Sequence, residues 1–189
     1  QNLISSYSVA KNGTEISEAD YDYTEDGLLS AVSLSNGYME YSYDKLNRLT
    51  VYKNYIGGIP MYVRYSYLAG TNSNTTGLVS NILYDDSGTK YVPELNYTYY
   101  ADGNIHLEKE NGTLVNSYAY DELGRLVREN DLNQNKTVKY IYDNRGNILR
   151  KDYYNYSLDG NLTYTGAVNY VYSDNWEDRL TSYNGQSIT

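Results

Sequence analysis

The 189-residue chain contains no cysteine and no phenylalanine, only two prolines, one histidine and one tryptophan. Without Cys there is no disulfide framework and no thiolate metal site. With His106 the sole histidine, neither a two-histidine metal site nor a Cys-His pair can form within one chain, and a Ser-His-Asp triad would have to use this residue. On the strand expected after Asp102-Gly103-Asn104, His106 reads first as a sheet-surface residue. No run approaches the roughly 20 apolar residues of a membrane span, and no signal peptide is visible. Basic residues are also in deficit: 15 Lys and Arg stand against 24 Asp and Glu, a net charge of -9. That removes the positive footprint that nucleic acid or an anionic membrane surface requires. A chain that opens on Gln1 rather than Met is expected to have lost a leader or to come from something longer.

What is present is tyrosine. Twenty-seven of them carry much of the 40% hydrophobic fraction. Tyr buries a large ring but keeps a hydroxyl that needs water or a partner, so such a chain suits half-wet sheets better than a thick dry core. Tyr, Val, Ile and Thr outnumber the residues that would fill helices, and almost no helix is expected.

The tyrosines recur in order. Tyr-x-Tyr pairs stand at Tyr21/Tyr23, Tyr41/Tyr43, Tyr65/Tyr67, Tyr97/Tyr99, Tyr118/Tyr120, Tyr140/Tyr142 and Tyr170/Tyr172. The basic unit is about 20 to 22 residues, the longer spacings carrying insertions, and no linker interrupts the series. Residues 1–189 therefore read as a single continuous array of about seven repeats. Each unit has two turn signals. In YDKLN at 43–47, YDELG at 120–124 and YDNRG at 142–146, Asp44, Asp121 and Asp143 open a type I turn, and Asn47, Gly124 and Gly146 take the left-handed residue that closes a three-residue hairpin with a G1 bulge. The second signal is Asn36-Gly37, Gly57-Gly58, Ser87-Gly88, Asn111-Gly112, Asp159-Gly160 or Asn184-Gly185, which reverses the chain before the next tyrosine pair. Strand, turn, strand, turn makes a meander of antiparallel hairpins.

Alternation assigns the faces. Met39, Met61, Val63, Leu95, Val138 and Val168 share the tyrosine parity, while Asp22, Ser42, Ser66, Thr98, Ala119, Ile141 and Val171 point the other way. Stacked units would set tyrosines beside one another across strands, each aromatic pair contributing roughly 0.2 to 1 kcal/mol. Four units depart from the pattern: Thr24 and Tyr100 stand where Asp is expected, LAGTNSNTTG at 68–77 replaces a tight turn, and SDNWEDRL at 173–180 adds Trp176. These are the places for a lid, a contact or a merely tolerated insertion.

YAYDELGRL at 118–126, YSYDKLNRL at 41–49 and YIYDNRGNIL at 140–149 resemble the RHS/YD-repeat family. Its signature falls here on Tyr41, Tyr43, Asp44, Arg48, Tyr118, Tyr120, Asp121, Gly124, Arg125, Tyr140, Tyr142, Asp143 and Gly146. The resemblance runs from about Tyr21 onward. It implies an all-β fold: repeated antiparallel hairpins in one long, spiralling sheet that forms part of a hollow shell, as in bacterial polymorphic toxins, insecticidal toxin complexes and the animal teneurins. It further implies a non-catalytic scaffold in a secreted or cell-surface bacterial protein, with no cofactor. Its expected partners are further YD repeats of the same or neighbouring chains, joined through sheet edges, together with an enclosed toxin segment or glycans. The motifs that accompany self-cleavage at the end of such shells are not found, so the chain resembles a middle section. Seven two-strand units give about 14 strands, too few to enclose a wide cavity alone. The open edges, expected near Ile4 to Val9 and Leu180 to Ser187, would offer pairing groups to a neighbour or promote filaments.

Other chemistry reads as structure. Asp85 and Asp86 could pair as in a glycosidase, but the following Ser87-Gly88 favours a solvated turn. DLNQNK at 131–136 imitates the start of a Ca²⁺ loop, yet Lys136 replaces the required Gly and Tyr142 the bidentate Glu. Seven Asn-x-Ser/Thr sequons are about what 22 asparagines produce by composition. Arg48, Arg125 and Arg179 follow their turns, where a guanidinium can bind a ligand, pair with the turn aspartate or lie over a tyrosine ring.

Overall fold

The computed structural model describes residues 3–71, 74–86, 89, 93–156, 160–173 and 179–188. Ser87-Gly88, Asp159 and Trp176 lie outside the described residues. Among those described, every regular element is a strand, and there is no helix to cross a membrane. The chain divides into two compact units, Gln1–Asn96 and Tyr97–Thr189.

The first unit contains β1 (Ser6–Lys11), β2 (Thr14–Tyr23), β3 (Leu29–Leu34), β4 (Gly37–Tyr43), β5 (Leu49–Ile56), β6 (Ile59–Ala69), β7 (Thr75–Asp85) and the first two residues of β8 (Leu95–Tyr99). The second contains the rest of β8, then β9 (Ile105–Glu110), β10 (Thr113–Tyr120), β11 (Leu126–Asp131), β12 (Lys136–Tyr142), β13 (Ile148–Tyr156), β14 (Leu162–Tyr172), β15 (Leu180–Tyr183) and β16 (Gln186–Ser187). Within each unit, neighbours in the sheet are neighbours in sequence. Two strands exceed the expected 14. β1 is added by an unanticipated turn at Asn12-Gly13, and Leu180 to Ser187 is a hairpin, β15 and β16, not one end strand.

The aspartate turns have one geometry. The Asp121 amide donates to the Arg125 carbonyl and the Gly124 amide to the Asp121 carbonyl, each at 2.9 Å, with φ of Gly124 at +75°. The same pair of bonds recurs at Asp44 with Arg48 and Asn47, and at Asp143 with Asn147 and Gly146. Asp121 Oδ1 also accepts the Leu123 and Arg125 amides, so one carboxylate holds the loop closed. The bulge falls directly before the second tyrosine of six pairs, at Tyr23, Tyr43, Tyr67, Tyr120, Tyr142 and Tyr172. Where aspartate is missing the turn survives: Thr24 Oγ1 accepts the Leu28 amide, and Gly103 still donates to Tyr100.

Other turns required correction. The turn between β3 and β4 is Ser35-Asn36, and Gly37 opens β4 opposite Ile56. Gly37 is needed for close approach, because a Cβ there would collide with the Tyr55 carbonyl oxygen. The LAGTNSNTTG stretch extends β6 and β7, which still pair at Ala69 and Thr75, and Gly70 and Asn74 are joined by a backbone bond. The described part is a longer hairpin. Asp85 is no turn residue: it ends β7 with 4% of its surface exposed.

The apolar core is thin. Among the described residues, Val32, Val63 and Val115 are the buried hydrophobic side chains. Val32 and Val63 lie opposite Tyr21 and Tyr52, on the tyrosine face. Tyrosines crowd around them, with Tyr41 and Tyr52 ring centroids 5.4 Å apart. So few aliphatic contacts leave much of the ordering to hydrogen bonds and rings.

Gly124→Val is expected to lower the melting temperature well beyond Glu122→Ala, because only the former forces a β-branched residue to φ +75°. Equal melting temperatures in thermal denaturation followed by circular dichroism would contradict the turn assignment.

Candidate functional site

The repeat has a defect, and the second tyrosine repairs it. The β3–β4 ladder ends at Ala31 and Glu40, and β5–β6 at Val51 and Arg64. Likewise β11–β12 ends at Arg128 and Lys139, and β13–β14 at Arg150 and Asn169. Each ladder stops two residues short of the residue that opens its strand, namely Leu29, Leu49, Leu126 or Ile148. These residues pair backward with the tyrosine of their own hairpin but have no strand partner forward. A half-buried carbonyl without a donor is costly. The donor is the next repeat's tyrosine: Tyr43 Oη–H donates to the Leu29 carbonyl at 2.8 Å, Tyr67 to Leu49 at 2.7 Å, Tyr142 to Leu126 at 2.7 Å and Tyr172 to Ile148 at 3.1 Å. Tyr23 does the same to the Ile4 carbonyl at 2.8 Å. Phenylalanine has no group for this bond.

Arginine adds a second tie. Arg125 Nε donates to Asp121 Oδ2 at 2.7 Å, its Cζ lies 4.8 Å from the Tyr142 ring centroid, and Nη1 donates to the Asp143 carbonyl at 3.0 Å. Arg48 likewise binds Asp44 Oδ2 at 2.7 Å, lies 4.1 Å over Tyr67, and reaches Thr75 Oγ1 and the Thr76 carbonyl. Each guanidinium therefore joins its own turn to the following repeat. In the third turn Asn147 replaces arginine and donates Nδ2 to Asp143 Oδ2 at 3.0 Å.

Two of the first tyrosines of the pairs, Tyr118 and Tyr140, face acids. Tyr118 Oη–H donates to Glu108 Oε2 at 3.2 Å, and Tyr140 to Glu129 Oε2 at 2.9 Å. Asn116 Nδ2 also donates to Glu108, at 2.9 Å. Tyr41 lies against Tyr52 with its hydroxyl 3.9 Å from Met39 Sδ. Thus Tyr43, Asp44, Arg48, Tyr120, Asp121, Gly124, Arg125, Tyr142, Asp143 and Gly146 build the turn ends, while Tyr41, Tyr118 and Tyr140 lie further along the tyrosine face. His106 is half-buried on β9, its ring 4.3 Å from that of Tyr100.

Sequence reasoning missed several partners. Glu108 and Glu129 show as ordinary polar positions, and nothing local marks them as phenol acceptors. On the opposite face, Arg64 pairs with buried Asp85 and Arg150 with buried Asp152, each at 2.7 Å. Thr137 is fully buried there, donating to Asn130 Oδ1 at 2.7 Å. Asp131 Oδ1 accepts the Gln134 amide and shapes the loop to β12.

Burial shifts the titration of these groups. Tyr41, Tyr65, Tyr99, Tyr118, Tyr120, Tyr140, Tyr142, Tyr170 and Tyr172 are all pushed above the ordinary phenol value, chiefly by desolvation. At Tyr118 the charge of Glu108 adds to this, and at Tyr140 the hydrogen bond to Glu129. The Arg48 side chain holds Asp44 below the usual carboxylate range, and the Arg125 backbone amide does so for Asp121. At Asp143 desolvation is the largest single effect and acts upward, but hydrogen bonds from Asn147, Arg145 and Gly146 outweigh it.

No protein-family model matches the sequence, and no curated protein sequence matches it. Among solved structures, the Photorhabdus luminescens Tc holotoxin pore aligns over 90% of this chain at 16% identity with a TM-score of 0.53. The chain spans about a tenth of the matched chain's length (10%). A porin-like protein from Bacteroides uniformis aligns over 87% of this chain and 82% of its own at 13% identity, with a TM-score of 0.43, too loose to identify a shared fold. The likeness to the toxin structure is one of fold.

Tyr67→Phe and Tyr142→Phe are each expected to cost about 1 kcal/mol, roughly 2 to 4 °C in melting temperature for a chain of this size. Tyr7→Phe, at 61% exposure, should leave it unchanged. Equal melting temperatures for all three variants would contradict the tyrosine bond. A phenol whose value is raised by folding stabilises fully below its unfolded value of about 10, and that stability is lost as pH climbs past it. Tyrosinate absorbance should therefore appear together with loss of β-sheet circular dichroism above about pH 10. Ionisation of these nine phenols near that pH with the sheet intact would contradict the burial.

Proposed function

We propose that the chain is a non-catalytic scaffold, a continuous array of YD repeats that forms part of a shell enclosing or presenting a toxin or other cargo in an exported bacterial protein. The observation that carries the reading is the repeated bond from a tyrosine hydroxyl to the preceding hairpin's carbonyl. At these four junctions it fixes a hairpin to the one before it. The fold likeness to a toxin complex supports the same role. So does the placement of the signature side chains: Asp44, Arg48, Asp121 and Arg125 are spent on one another and on the next repeat.

Partners in this reading are further YD repeats, in the same or a neighbouring chain, added at sheet edges. All six residues of β1 are exposed, including Tyr7 and Val9, as suits a strand to be paired from its open side.

The test is limited proteolysis of the natural gene product that contains these residues. A segment outside the 189 residues should resist protease while the sheet is folded and become digestible at the temperature where the sheet melts. Digestion of all flanking segments with the sheet intact would exclude enclosure. Saturable binding to a glycan array under those conditions would favour a binding module instead.

A further inference from the structure

The aspartate turns do not all carry an arginine. At the turn from Tyr100 to Asn104, Tyr100 stands where Asp44 and Asp121 stand, and Asn104 where Arg48 and Arg125 stand. Asn104 folds back on its own turn: its amide N–H donates to Asp102 Oδ1 and its Nδ2 to Asp102 Oδ2, both at 3.0 Å. Tyr100 meets the Tyr120 ring edge-on, centroids 6.1 Å apart, and its hydroxyl donates to the Tyr118 carbonyl at 3.0 Å. Between these groups is a cleft of about 370 Å³, lined by Tyr100, Ala101, Asp102, Ala119, Tyr120 and Asp121.

The walls match what surrounds Arg125 one repeat later. There a guanidinium lies over the second tyrosine, Tyr142, and bonds both a turn aspartate and the carbonyl that follows the tyrosine. In the cleft the corresponding tyrosine is Tyr120 and the corresponding carbonyl belongs to Asp121. Asp102 supplies a carboxylate from the preceding turn, and Tyr100 adds a second ring. The charged groups facing this space are Asp102 and Asp121, the latter shared with Arg125. Two rings and an excess of negative charge favour a cation, and a planar one fits a place that guanidinium groups fill at the Arg48 and Arg125 junctions of this chain.

We propose that the cleft between Tyr100, Asp102 and Tyr120 binds a guanidinium group, that of an arginine side chain on a polypeptide packed against this turn. The partner provides in trans what Arg48 and Arg125 provide within the chain. This inference does not rest on the shell reading, since any partner polypeptide bearing an exposed arginine satisfies it.

The probe is ethylguanidinium chloride, with ethylurea as its neutral counterpart of the same shape, titrated into the ¹⁵N-labelled chain at constant ionic strength. Saturable amide shifts at Ala101, Asp102, Ala119 and Tyr120 are expected with the cation alone. Asn104→Arg should fill the cleft from within, raise the melting temperature, and weaken ethylguanidinium binding by about tenfold or more, equivalent to about 1.4 kcal/mol. Tyr120→Leu, which removes the aromatic face that a cation would lie against, should weaken it comparably and covers the case in which the arginine variant does not fold. Equal saturation by ethylurea, shifts that never saturate, or undiminished binding in the folded variants would overturn the proposal.

Discussion

A backbone carbonyl left without a strand partner is the constraint on which the rest of this structure depends. A G1 bulge at each aspartate turn adds local twist, and the next strand departs before it can pair with the residue that opens the returning strand. The carbonyls of Leu29, Leu49, Leu126 and Ile148 then need a donor from elsewhere. The tyrosine of the following repeat is long enough and correctly placed to supply it. A composition of 27 Tyr and no Phe follows in part from this geometry. The ring packs as phenylalanine would, but the hydroxyl completes the ladder.

Arginine and aspartate then reinforce the same joint. The turn carboxylate caps backbone amides and orients the guanidinium, and the guanidinium covers the tyrosine whose hydroxyl makes the bond. Each exposed tie of this kind is worth little alone, roughly 0.5 to 1 kcal/mol for a surface cation over a ring. At Arg48 and Arg125 they add to the tyrosine bonds in a sheet with few buried aliphatic side chains. Stability is then spread along the chain as nearest-neighbour terms, as in other repeat proteins.

The strand and turn pattern was legible in the sequence because period-two alternation and Asp-x-x-Gly turns are local signals. The left-handed Gly124 could be read from spacing, whereas the pairing of Arg125 with Asp121 was one of three readings left open, and the guanidinium both pairs with the aspartate and lies over Tyr142. The tyrosine bond could not: its acceptor, Leu126 for Tyr142, is a backbone atom 16 residues away that becomes vacant only when the bulge diverts the strand. The acceptors Glu108 and Glu129 and the buried Asp85 and Asp152 were hidden for a related reason. Their roles depend on cross-strand register, the two glutamates on the tyrosine face and the two aspartates on the opposite one, and each looks polar and solvated when its strand is read alone. Gly37 was read as half of a turn and proved to be a close-approach residue, a role set by the position of Tyr55 in the neighbouring strand.

The most direct test is the exchange behaviour of the tyrosine hydroxyl protons. In spectra of the chain labelled selectively at tyrosine Cζ, the Oη–H protons of Tyr43, Tyr67, Tyr142 and Tyr172 should exchange slowly with water, with contacts to Leu29, Leu49, Leu126 and Ile148. The exposed Tyr7 hydroxyl should exchange too fast to detect. Fast exchange at all five positions would contradict the claim that tyrosine hydroxyls complete the sheet.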